Sequence, residues 1–156
     1  MQSTFEWMNE LAVSAFIRES IWISPLVNVG HLLALVLLIG ALLIVDLRLL
    51  GNDEGTPVER IARDAEPWFI RGFVLMFLTG VPQLISNALR EYYSPFFWTK
   101  TVMLVLALIF TFTVRRRVVL SPDGAVSAGM RKLVGAASIV LWASVAIPAR
   151  LIGLFT

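Results

Sequence analysis

The chain has no cysteine, which excludes disulfides, thiolate-bound zinc, iron–sulfur clusters and a cysteine nucleophile. It has a single histidine, His31, so a histidine-rich metal site within one chain is excluded too. Charge is scarce: Asp, Glu, Lys and Arg make up 15% of the 156 residues, where a soluble domain carries about a quarter. The net charge of +2 is too small for a nucleic-acid surface. No GxSxG, no P-loop, no pair of carboxylates within an apolar run and no cluster of metal ligands occurs. Hydrolase and phosphoryl-transfer chemistry therefore lack their parts.

Apolar residues are what the chain has in quantity. They make up 58% of it, and the mean hydropathy is +0.80. Four stretches reach the roughly 20 residues a helix needs to cross a hydrocarbon core: about 25–50, 67–88, 95–114 and 133–155. Pro25, Pro67 and Pro95 open three of them, where a missing N–H costs nothing. Between them lie turn-rich segments, with Gly51-Asn52 as a helix stop and Pro122-Asp123-Gly124 as a turn. The expected fold is all-α: an integral membrane four-helix bundle over residues 24–156. The lipid bilayer is its first partner.

Residues 4–20 differ. Phe5, Met8, Leu11, Ala12, Ala15 and Phe16 recur at helical spacing, with Glu6, Asn9, Glu10 and Arg18 off that stripe. This pattern predicts an amphipathic helix lying in the membrane interface within residues 1–23. It lacks the basic start of a signal peptide, so no cleavage is expected.

Cations set the orientation. Arg48, Arg60, Arg63 and Arg71 flank the first connection, and Arg115, Arg116, Arg117, Arg131 and Lys132 the third. In a four-span chain these nine share a side, against Arg18, Arg90, Lys100 and Arg150 on the other. The positive-inside rule makes the nine-cation side cytoplasmic. A bacterial inner-membrane protein with both termini outside is expected. Trp22, Trp68, Trp98, Tyr92 and Tyr93 fall where an aromatic belt would. The small residues of the fourth stretch, Gly135 to Gly153, permit close backbone approach.

Polar residues within spans are costly, so their depth carries information. His31 lies about 9 Å into the first span, and Lys100 about 7.5 Å into the third, at 1.5 Å per residue. Gln83 and Asn87 arrive near the same end of the second span, and Arg150 near that end of the fourth. Asn28 shares the face of His31. One histidine and two cations in one layer make an anion pocket containing one Lewis base. A single axial histidine can hold a b-type haem or related tetrapyrrole, with Lys100 and Arg150 pairing with its propionates. Met103, one turn below Lys100, is a candidate sixth ligand, and Phe96, Phe97, Trp98 and Trp142 are candidate walls.

The stretch VNVGHLLALVLLIGALLIVDLRLLG, with the later SPFFWTKTVMLVLALIFTF, resembles an uncharacterised family of small bacterial four-helix membrane proteins. More distantly it is similar to HemJ-type protoporphyrinogen oxidases and CopD-type membrane domains. His31 and Lys100 match the histidine and lysine those families place early in two helices. The resemblance implies haem b held by His31 as its metal ligand, and porphyrin oxidation or electron transfer with Lys100 as the catalytic partner. It covers about a third of the chain. The sequence departs from the HemJ pattern in its amphipathic start, its Asp46-Leu47-Arg48 end and Arg150.

Other readings stay open. Lys100 and Arg150 can snorkel to headgroups, and His31 can make a plain interhelical contact. Asp46 and Arg48 read as interface markers, with Arg71 a salt-bridge partner for Asp46, and Arg115–Arg117 as a topology anchor. Gly80 and Pro82 read as a kink. In place of a haem protein, the chain can be a homo-oligomeric transporter or permeation subunit for a small anionic ligand, or an assembly subunit of a larger complex.

Overall fold

A computed structural model of the chain describes residues 2–51, 55–122 and 124–155, with side chains for all of these but 150 and 152–155. It is 88% helical and has no strand among the described residues. Four helices are long and apolar enough to cross a membrane: Ile23–Leu50, Val58–Ser86, Pro95–Val119 and the helix Ala128–Phe155. By length and composition this is an all-α, multi-pass four-helix bundle.

The first span is the hub. Ala34, Leu38, Ala41, Leu42, Val45, Asp46 and Leu49 recur every three or four residues and are buried, which is the inward stripe of a helix with neighbours on two sides. The second and fourth spans flank it, and the third packs on the fourth. The second span meets the third chiefly at its last turn, Arg116–Val119. Leu38, Ala41 and Leu42 form the core with Phe69, Ala107, Trp142 and Val145. Two glycines set the spacing. A Cβ on Gly72 would lie 2.9 Å from the Leu38 backbone nitrogen, and one on Gly135 would lie 2.9 Å from the Asp46 carbonyl oxygen. Neither position has room for a side chain.

Several expected boundaries move. The second span begins at Val58, so Pro67 lies inside the helix rather than at its start. Its lost hydrogen bond falls near the basic end of the bundle. Pro95 does open the third helix. That helix runs on through a π-helical turn, Thr111–Arg115, to Val119. Gly51 ends the first span with its N–H on the Leu47 carbonyl at 3.0 Å. Of the two expected turns, Asn52 and Asp123 lie outside the described residues, and Gly124 takes a φ of +86°, which glycine adopts without strain.

The N-terminal segment forms two helices, Gln2–Glu10 and Ala12–Glu19, broken at Leu11 where ψ is 137°. The break shifts the helical phase. Ser14 and Ile17 become the buried pair, while Phe16, on the apolar stripe, is 65% exposed. These helices lie across one end of the bundle, termed here the capped end. Phe5 packs on Tyr92, Phe97 and Trp98 with ring centroids 5.1, 6.2 and 6.3 Å away. Ser14 donates to the Ile85 carbonyl at 3.1 Å, and Arg18 to that of Ser86 at 3.3 Å. The exposed faces carry Trp7, Val13 and Phe16, apolar surface suited to a membrane interface.

Candidate functional site: a polar cavity at the capped end

Beneath the N-terminal helices lies a cavity of about 370 Å³ reached by all four spans. The first span contributes Asn28 and His31, the second Met76 and Gln83, the third Lys100, and the fourth Ala146 and Ala149. Arg90 and Glu91, on the short helix Ala88–Tyr93, complete the wall. His31, Lys100 and Asn28 thus face one space, as their depths require. Gln83 donates to Asn28 Oδ1 at 3.2 Å across the first and second spans.

The hydrogen bonds around His31 favour one tautomer. Thr79 Oγ1 lies 2.8 Å from the Leu75 carbonyl, to which it donates its only proton. With its proton on that carbonyl, or on the Met76 carbonyl at 3.3 Å, it accepts from His31, whose Nδ1 is 3.0 Å away. In the neutral ring the proton sits on Nδ1, and Nε2 keeps a free lone pair. Gly80 makes the fit possible, since a Cβ there would lie 3.2 Å from His31 Cε1. The sequence reading gave Gly80 to a kink; here it leaves room for the imidazole.

Two charged groups in the cavity lack the partners burial usually demands. Lys100 makes no hydrogen bond, and no ion pair within 4 Å, with the described residues. It acts on His31 and Glu91 only through space. Glu91 Oε2 is buried without a hydrogen-bond donor. Burial pushes the Glu91 carboxyl above the ordinary glutamate range, against the opposing pull of Lys100 and Arg90. Unsatisfied buried polar atoms are rare in folded proteins, and each calls for a partner such as a water, an ion or a ligand.

Other expected site residues lie elsewhere. Met103 packs against the apolar core around Leu38 and Ala107 and does not line the cavity. Trp142 is 3% exposed in that core, with Nε1 donating to Thr111 Oγ1 at 3.2 Å. Phe97 and Trp98 belong to the cluster around Phe5. The Arg150 side chain lies outside the described residues.

The sequence reading missed a second polar centre near the basic end. Arg115 Nε donates to Asp46 Oδ1 at 2.7 Å, and its Nη2 to the Leu42 carbonyl at 3.3 Å. Ser138 donates to Asp46 Oδ2 at 2.6 Å. Asp46 and Ser138 are 1% and 0% exposed. Asp46 therefore pairs with Arg115 and not with Arg71, which stacks 5.0 Å over Trp68. The π-helical turn carries Arg115 inward while Arg116 and Arg117 stay exposed. Only two of the three consecutive arginines thus remain as surface cations.

Against known families, residues 5–155 match the model of a family of unknown function, DUF6644. The chain belongs to this family. The match covers the N-terminal helices as well as the four spans, so the DUF6644 unit takes in both the cavity and its cap. No curated protein matches the chain, and neither does any solved structure.

Proposed function

We propose that this DUF6644 protein binds a small molecule bearing an anionic group in the cavity at the capped end. One observation carries the reading: the Lys100 ammonium, without a direct partner, shares that space with the free His31 Nε2 and the orphaned Glu91 Oε2. In this reading Lys100 holds the anion as a point charge. Asn28 and Gln83 orient it, and His31 Nε2 accepts a hydrogen bond from the ligand. The lower wall is closed by the Leu38–Trp142 core. In this reading a permeation path would run between subunits of a homo-oligomer. The cation count supports an inner-membrane setting with the capped end outside.

The test is thermal unfolding of detergent-purified protein against a panel of organic acids and inorganic anions. Some member should raise the Tm of the wild type and leave Lys100→Gln unmoved. A wild type indifferent to every anion would overturn the proposal.

A second reading, b-type haem, is favoured by the His31 tautomer. Nδ1–H bonded to a protein oxygen with Nε2 free is how ligating histidines are commonly held. Lys100 suits a propionate. Phe97, Trp98 and Trp142, three of the rings that would flank a macrocycle, pack elsewhere, and Met103 lies against the core, so these residues fit an axial bond better than the ring. A Soret band in the purified protein, lost in His31→Ala, would select this reading. Colourless protein from haem-replete cells would eliminate it.

A further inference from the structure

We infer that the ligand of this cavity is an amphiphile taken from the bilayer, with one anionic head and an apolar body, rather than a water-borne ion. The inference rests on the anion-binding reading above and names the substrate class. Its first ground is the way the lining changes with depth. Along the first span the cavity residues run Ser24, Val27, Asn28, His31, then Leu32 and Leu35. Along the second they run Asn87, Gln83, then Met76. Both walls pass from mainly polar to apolar going away from the capped end, and the rim holds Arg90, Glu91 and Lys100. A water-borne anion needs polar partners on all sides. It would leave Leu35 and Met76 facing nothing it can use. A molecule with a charged head and a hydrocarbon body matches both halves.

The second ground is the unequal closure of the bundle. On the first span's side, backbones come within touching distance at Gly72–Leu38 and Gly135–Asp46. The second and third spans come together closely only at the basic end, where the second span meets Arg116–Val119. They meet through side chains, as at Phe69–Phe112, whose ring centroids are 6.0 Å apart nearer the basic end. The third span is also the most lipid-facing of the four, with 11% of its apolar window buried against 39% for the first. At the capped end the flank of the cavity between these two spans is the loosely held edge, which is where a lipid-dissolved molecule would pass.

Straight-chain carboxylates of increasing length separate the outcomes. Binding is measured on the nanodisc-reconstituted protein and referred to the free aqueous concentration. The expected result is a Kd falling about fourfold per methylene, the equivalent of ~0.8 kcal/mol, in the wild type. The fall should stop short in Leu35→Trp, which fills the deep end, while the shortest acids still bind that variant. Ala146→Phe gives a second obstruction should Leu35→Trp fail to fold. A Kd independent of chain length, with Lys100 still required, would overturn the amphiphile and leave the anion site standing. No binding of any carboxylate or other anion would remove both.

Discussion

Arg115 on the third span places its Nε 2.7 Å from Asp46 Oδ1 on the first, with both side chains at most 10% exposed. Ser138 of the fourth span takes the other carboxylate oxygen. One ion pair thus ties three helices together where water cannot compensate for a lost partner. Burying two charges is costly, and removing one is costlier than removing both.

Asp46→Asn or Arg115→Leu alone should each destabilise the detergent-solubilised protein by ~3–5 kcal/mol, by analogy with broken buried pairs. The double variant Asp46→Leu/Arg115→Leu should recover much of that loss. Thermal or denaturant unfolding of the four proteins checks this. Additive losses would show that the two residues act separately.

Gly72→Ala should cost about 1–3 kcal/mol, because its Cβ would meet Leu38 backbone atoms at 2.9 and 3.0 Å. Gly40→Ala is the control, since nothing lies within 4 Å of its Cβ position. Equal stability of the two variants would refute the close packing of the first and second spans.

Thr79→Val removes the acceptor that holds the His31 proton on Nδ1. Nitrogen-15 spectra of the wild type at high pH should show Nδ1 protonated and Nε2 bare, and the variant a mixture of tautomers. The opposite tautomer in the wild type would contradict the hydrogen-bond assignment.

The folded state raises the Glu91 pKa, so it binds that proton more tightly than the unfolded chain does. The stability this contributes is complete below the ordinary glutamate pKa, about 4.3, and is lost as pH rises through the higher folded value. Glu91→Gln should flatten this part of the stability–pH curve. An unchanged slope would show that another group titrates there.

Much of the fold is legible because span length and hydropathy are set by the bilayer, not by tertiary detail. The layer of His31, Lys100, Asn28 and Gln83 is legible for the same reason: helices of known rise and alternating direction fix relative depth. Asp46 was hidden by its neighbour Arg48, which made the pair look like a helix end. Its signal was periodicity, since it falls on the stripe Leu38, Leu42, Val45, Leu49 that the core buries. Arg115 was hidden by Arg116 and Arg117. Ala107, Thr111, Arg115 and Val119 are all buried at a spacing of four, wider than the 3.6 of an α-helix, and the π-helical turn is what accommodates it. Glu91 sits in a segment that reads as a turn, so only the tertiary fold reveals its burial.

Because the chain has no cysteine of its own, thiols can be placed at two positions without background. His31→Cys and Lys100→Cys, made singly and together, test the shared cavity most directly. A water-soluble, membrane-impermeant thiol reagent should label both single variants from the same side of the membrane. A short bifunctional reagent should join the first and third spans in the double variant. Labelling from opposite sides, or no joining despite labelling of each site, would contradict a common cavity.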